Sequence, residues 1–400
     1  MVPINLELVV STGYPELIAT IASEITTSGP IPFVRFMELA LYHPQFGYYM
    51  RAPEQTSERI GRQGDFYTSS DVHPILGEAL AKQAEQMDQL LGHPPQFTVI
   101  EMGPGKGLLA EHFLSACRRN HRSLFQRLRY ILIDRSPVMR ALQRGNLAPW
   151  LDQPGLLSWV DDLDHMPSHA VTGLFFSNEL FDAFPVHRVQ ATETGIGELW
   201  VDYREGRFVE CLKPLSSDEL AHHLRRVQTE WPNGYRTEVN LLALDWMKQV
   251  ARRLDRGFVL TIDYGHTAQD FYRSDRTRGT FLCYWQHSVN EDPFARVGNQ
   301  DMTAHVDFSS LAIAGEEHGL ETTGFTNQMS FLMGLGVEQM LAELTQESPA
   351  FNSAIRLLRP NGMGTTFKVL IQHKGINNPM LDGLKFKPFF GSALTAQSAA

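Results

Sequence analysis

The feature that most constrains this chain is a glycine-spaced turn, Glu101-Met102-Gly103-Pro104-Gly105-Lys106-Gly107, set directly behind the apolar run Phe97-Thr98-Val99-Ile100. A short, unbroken apolar run is what a parallel strand covered on both faces requires. Glycines let the backbone that follows turn tightly and approach a ligand with no Cβ in the way. A helix is expected from Leu108. Strand, glycine turn and helix together open a doubly wound α/β sheet, in which ligands sit beyond the carboxyl ends of the strands.

The rest of the chain repeats the pattern. Tyr130-Ile131-Leu132-Ile133-Asp134, Leu156-Leu157-Ser158-Trp159-Val160, Gly173-Leu174-Phe175-Phe176-Ser177-Asn178 and Gly257 to Gly265 read as further strands. Helical stretches separate several of them, notably Trp246 to Leu254. Strands alternating with helices predict an α/β fold with a mostly parallel, doubly wound sheet. The segment between the fourth and fifth strands is too long for a simple crossover. Residues 187–212 read as an inserted β-meander, with turns at Gly195/Gly197 and Glu205-Gly206. Residues 13–28 and 31–42 look helical, the second through Phe33, Phe36, Met37, Ala40 and Leu41. Residues 43–73 are loop-rich, a helix should start at Pro74, and Thr365 to Ile371 reads as a final strand. The expected organisation is a helical N-terminal extension or lid (1–92), a nucleotide-binding half (93–184), an insert for substrate or dimer contacts (185–245), a second half of the core (246–390) and a flexible tail (391–400).

Composition narrows the class. The 400 residues carry a net charge of −10, which argues against a surface built to grip nucleic acid and is compatible with a cationic target. Cys117, Cys211 and Cys283 are far apart, so neither a disulfide framework nor a metal site is expected. No apolar stretch is long enough to insert in a membrane. Reduced thiols, and an N-terminus without a secretory or mitochondrial leader pattern, lead to the expectation of a cytoplasmic protein.

In the dinucleotide fingerprint the third glycine lies three residues after the second; here Gly107 follows Gly105 by two. With an acid closing the strand, the pattern resembles motif I of class I (Rossmann-like) methyltransferases, which bind S-adenosylmethionine (SAM). That resemblance makes Glu101, Gly103, Gly105 and Gly107 cofactor contacts. Asp134 would accept both ribose hydroxyls or, alternatively, cap the next helix, although Ser136-Pro137 can start that helix instead. Asp161, Asp162 and Leu163 would read adenine, or form a solvated acidic turn. Asp65 is counted with the cofactor contacts, and Asp263 and His266 stand at the same kind of strand or loop end. After the fourth strand, Asn178-Glu179-Leu180-Phe181-Asp182 carries the candidate catalytic groups. Glu179, assisted by Asp182 or Asn178, would orient a methyl acceptor; the alternative is helix capping by Asn178 with both acids in the first turn. Tyr48 and Tyr49 line a mouth or simply pack.

Blocks spanning most of the chain resemble the MidA family of SAM-dependent methyltransferases. They include Pro32-Phe33 through Tyr48-Tyr49, Gly64-Asp65-Phe66, Asn178 through Val186, Asp263-Tyr264-Gly265 and Gln300 through Phe308. The resemblance implies a class I fold, SAM as cofactor and methylation of an arginine-bearing protein partner, a complex I subunit in the mitochondrial relatives. A homodimer is compatible with it. Small-molecule methylation, or a SAM-binding assembly factor without turnover, are the competing expectations.

Overall fold

A computed structural model describes residues 12–52, 61, 65, 73–227, 230–346, 348–360, 362–386 and 394. Of the Gly64-Asp65-Phe66 block only Asp65, and of the 391–400 tail only Leu394, lie within them. The chain begins with helix α1 (Pro15–Ser28), strand β1 (Ile31–Pro32) and helices α2 (Phe33–Tyr42) and α3 (Ile75–Leu90). Then come β2 (Phe97–Met102), α4 (Leu108–Asn120), β3 (Leu128–Ile133), α5 (Pro137–Asn146), β4 (Leu157–Val160) and β5 (Val171–Asn178). Strands β6 (His187–Thr192), β7 (Gly195–Arg204) and β8 (Arg207–Lys213), helix α6 (Asp218–Val227), β9 (Arg236–Val239) and α7 (Leu241–Arg253) follow. The remainder holds β10 (Leu254–His266), β11 (Leu282–Trp285), β12 (Ser288–Asn290), β13 (Asp301–Thr303), β14 (Val306–Asp307), α8 (Phe308–Glu316), β15 (Glu321–Asn327) and β16 (Phe367–Lys374).

These elements form two compact units. The larger comprises the described residues of Pro53–Asp182, Leu242–Arg273 and His305–Ala400. Its eight-stranded sheet runs β15-β16-β10-β5-β2-β3-β4, with β14 beside β10. Strands β2, β3, β4, β5 and β10 are parallel, while β16 is antiparallel to both neighbours. The order reverses at β2, which has β3 on one side and β5 on the other, so the glycine turn sits at the switch point. The reason is legible in the side chains. Phe97, Val99 and Ile100 on β2, and Phe258, Leu260 and Ile262 on β10, are fully buried because the sheet is covered on both faces. Helix α3 buries Leu76, Ala79, Leu80, Ala84 and Met87 in the same core. Each large apolar side chain removed from water in this way stabilises the fold by about 1.5–3 kcal/mol.

The smaller unit comprises the described residues of Met1–Ala52, together with Ala183–Leu241 and Ser274–Ala304. A five-stranded antiparallel sheet runs β1-β7-β6-β9, with β8 on β7, and a three-stranded sheet runs β12-β11-β13. The meander expected at 187–212 is therefore present, but it does not stand alone. Ile31 and Pro32, expected as helix, form a strand against Val201 and Trp200, and α2 starts only at Phe33. Pro32 is extended, at φ −58° and ψ 149°, and Ile31 finds its backbone partners across the strand pair. That pairing ties the first helices to the meander, whereas α3 belongs to the larger unit. Residues 274–304, expected in the second half of the core, also fold with the meander. The buried Glu238 carboxylate at the end of β9 accepts the Thr280 N–H (2.7 Å) and hydroxyl (2.9 Å), and the Arg236 N–H donates to the Thr277 carbonyl (2.9 Å).

Candidate active site

The carboxyl ends of β2, β3, β4, β5 and β10 carry the expected site residues. At β2 the backbone enters the left-handed region three times, at Gly103 (φ 65°), Gly105 (φ 53°) and Gly107 (φ 79°). Glycine suits the conformation at Gly103, and a Cβ there would stand 2.8 Å from Leu180 Cδ1, so that side chain would have to shift. Glu101 is buried and accepts the Tyr130 hydroxyl at 2.7 Å. Burial pushes its carboxyl up to about 8; the Tyr130 bond opposes the rise and the nearby Asp134 charge adds to it.

Asp134, one residue past β3, does not cap α5. That role falls to Ser136, whose hydroxyl accepts the Met139 N–H at 3.3 Å. Asp134 instead accepts the Ser136 N–H on Oδ1 (2.8 Å) and the Gln143 amide on Oδ2 (2.7 Å). Burial pushes it up to about 6 against these donors. Gln143 escaped the sequence reading, since a lone glutamine inside a helix carries no signal. It is fully buried, and its amide also donates to the Gly105 carbonyl (2.9 Å) and accepts the Trp159 indole N–H (3.0 Å).

After β4 the contacts are those of an acidic turn. Asp161 pairs with Arg140, and Asp162 pairs with Arg135 while accepting the Asp164 N–H at 3.2 Å. The Leu163 side chain is buried, and its carbonyl accepts Arg253 Nε at 2.5 Å. Asp65 sits half-buried in a bend.

At the end of β5 the chain turns sharply. Glu179 lies in the left-handed region at φ 53°, which a residue with a Cβ seldom adopts. Asp263, fully buried on β10, holds the turn. Its Oδ2 accepts the N–H groups of Leu180 (3.1 Å), Phe181 (2.9 Å) and Asp182 (3.4 Å), and its Oδ1 accepts that of Tyr264 (2.9 Å). The capping that was the alternative role for Asn178 is done from the neighbouring strand by Asp263. Burial, then the charges of Asp182 and Glu179, raise Asp263 well above the usual carboxylate range. Asn178 Nδ2 donates to Glu179 Oε1 (3.1 Å), while its buried Oδ1 has no hydrogen-bond partner. The Tyr264 hydroxyl donates to Asp182. His266 meets His305 at 3.0 Å, and Tyr264 packs edge-on against His305. Tyr48 is buried and Tyr49 donates to Asp301 (2.7 Å) in the smaller unit, which is the packing alternative for that pair.

Comparison with known proteins identifies the cofactor. A family model for S-adenosyl-L-methionine-dependent methyltransferases matches residues 79–326. The Drosophila melanogaster homolog of the mitochondrial protein arginine methyltransferase NDUFAF7 is 27% identical, over 93% of this chain and 88% of the relative. The Danio rerio protein of that name is 28% identical, over 87% and 84%. A crystal structure of a protein from Burkholderia thailandensis, bound to S-adenosyl-homocysteine (SAH), superposes with a TM-score of 0.82 at 32% identity, covering 92% of this chain and 94% of that one. SAM is the cofactor, and the class I fold expected from the strand pattern holds. The cytoplasmic setting does not: the curated relatives are mitochondrial proteins. Isolated reduced thiols report a reducing compartment without distinguishing one such compartment from another. The family-model match across residues 79–326, with a solved structure aligned over most of the chain, makes the chain a member of the MidA family of SAM-dependent methyltransferases.

Proposed function

We propose that this methyltransferase acts on a guanidinium nitrogen of an arginine in a protein acceptor. The observation that carries the reading is the Glu179–Asp182 turn, fixed by Asp263 at the carboxyl end of β5 next to the glycine-bearing strand. A guanidinium is cationic and delocalised, so it is a poor nucleophile. Carboxylates that hydrogen-bond its N–H groups fix its plane and draw charge to one nitrogen, leaving another to attack. Glu179 and Asp182 supply those acceptors, and the unpartnered Asn178 Oδ1 supplies one more. Bound SAM supplies a sulfonium methyl. Transfer of that methyl would break its S–C bond and leave the thioether of S-adenosyl-homocysteine, and Glu179 would take the proton lost from the acceptor nitrogen. Orientation of the two reacting atoms provides much of the barrier reduction.

A protein acceptor is supported from two further sides. The relatives are named as protein arginine methyltransferases. The smaller unit opens a groove of about 1180 Å³, lined by Phe208, Phe281 and Phe294 and by Arg188, Glu210 and Arg236, which suits a polypeptide segment better than a small metabolite. The MidA resemblance points further, to a respiratory complex I subunit as acceptor.

The test is mass spectrometry of methylarginine in a deletion strain complemented with wild-type or Glu179→Gln enzyme. At least one arginine site should lose its methyl groups in the deletion and regain them only with wild type. An unchanged methylarginine inventory, with label from SAM entering only small molecules, overturns the proposal.

A further inference from the structure

We infer that Gln143 organises the ribose end of the cofactor site, making binding selective for a ribose that carries both hydroxyls. The acid after the second strand is an expectation of the fold; the glutamine is not. Its position is set by three contacts. One amide nitrogen donates to the Gly105 carbonyl at 2.9 Å and to Asp134 Oδ2 at 2.7 Å, and the amide oxygen accepts the Trp159 indole at 3.0 Å. The side chain is fully buried, so it is held in that role. Gly107 leaves room for it, since a Cβ there would lie 3.3 Å from Gln143 Cγ. The backside of Trp159 is covered in turn by the Arg144 guanidinium, 4.3 Å from the ring centroid.

The consequence falls on Asp134. An ionised carboxylate offers about two acceptor positions on each oxygen. The Ser136 N–H takes one on Oδ1 and Gln143 takes one on Oδ2. One position remains on each oxygen, and a pair of acceptors on one carboxylate matches the two donors of a vicinal diol. Without Gln143 the carboxylate keeps only the Ser136 N–H on Oδ1, the direction of Oδ2 is no longer fixed, and that match is weakened. Gln143 also ties the glycine turn, the ribose acid and the end of β4 into one frame, so the cofactor meets a preorganised surface.

Calorimetric binding of SAH and of its 2′-deoxyribosyl analogue tests this in wild type, Gln143→Leu and Trp159→Phe. In Gln143→Leu, SAH should bind about tenfold or more weakly, while the deoxy analogue loses less, so the preference for SAH shrinks. The pH at which SAH affinity falls by half should move upward from about 6, because the lost donor favours the charged carboxylate. Trp159→Phe, which keeps the ring packing, should show the same two changes at smaller size and decides the matter if Gln143→Leu does not fold. Equal weakening of both ligands with an unmoved pH midpoint, or no weakening at all, overturns the inference. The outcome does not depend on the methyl acceptor, so failure here leaves the arginine reading standing.

Discussion

Asp263 caps the turn that Glu179 begins: one oxygen of the Asp263 carboxyl accepts three consecutive backbone N–H groups directly after Glu179, from a strand 83 residues further along the chain. The Glu179 carboxylate, proposed above to orient the acceptor, is thereby carried on a left-handed backbone conformation that its own sequence does not favour. The arrangement trades local stability for the position of one functional group.

Removing the cap should expose that trade. Asp263→Ala deletes acceptors for four N–H groups and is expected to cost about 2–4 kcal/mol. Asp263→Asn retains one acceptor oxygen. It is the closer mimic, because burial and the neighbouring acids Asp182 and Glu179 favour the uncharged form of Asp263. The Asn variant should keep most of its unfolding midpoint and its SAH binding while methyl transfer slows. Full activity in the Asn variant, or an Ala variant as stable as wild type, would count against this account.

Glu179 itself should show the opposite balance. Glycine adopts φ 53° without strain, so Glu179→Gly is expected to gain about 1 kcal/mol in backbone energy. It also deletes the carboxylate and the Asn178 contact. Thermal unfolding should therefore show a variant at least as stable as wild type, alongside methylation reduced to background. A clearly destabilised variant would mean that the strain is not stored where the backbone places it.

Glu101 should impose a pH dependence on stability. Its carboxyl titrates near 4.5 when unfolded and is pushed up to about 8 in the fold. Between those values the folded protein holds a proton that the unfolded chain has released, so stability falls as pH rises and levels off above the folded value. Glu101→Gln keeps an acceptor for the Tyr130 hydroxyl and removes this slope. The unfolding midpoints of wild type and variant should nearly coincide at about pH 5, and the variant should be the more stable at about pH 8. Parallel curves across that window would show that Glu101 is ionised throughout.

The glycine turn predicts a graded response. Gly103→Ala introduces a Cβ 2.8 Å from Leu180 Cδ1 at φ 65°, and Gly107→Ala introduces one 3.3 Å from Gln143 Cγ at φ 79°. Each should cost about 1–2 kcal/mol of backbone strain. Gly103→Ala, with the closer contact and a neighbour in the turn after Glu179, should lose more SAH affinity by calorimetry than Gly107→Ala. The reverse order would mean that the contact with Gln143 matters more to the cofactor than the contact with Leu180.

Much of this protein is legible without coordinates. The apolar runs at Phe97, Tyr130 and Phe258, the glycine spacing at Gly103-Gly105-Gly107 and the acids at Glu101, Asp134 and Glu179 are contiguous signals. Burial on two faces and left-handed backbone are demands that a few neighbouring residues either meet or fail, so sheet, switch point and glycine turn follow from them. What only the tertiary structure decided lies in partnerships across the fold. Asp263 reads from sequence as one more polar strand end, and Gln143 as an unremarkable helix residue; strand register and helix packing make one the cap of the Glu179 turn and the other the link between Gly105, Asp134 and Trp159. The same holds for Ile31 pairing with Val201 and for Thr280 on Glu238, which bring distant segments into the smaller unit. A backbone conformation is a local property of the chain, whereas a hydrogen-bond partner is chosen by whichever strand the folded sheet sets beside it.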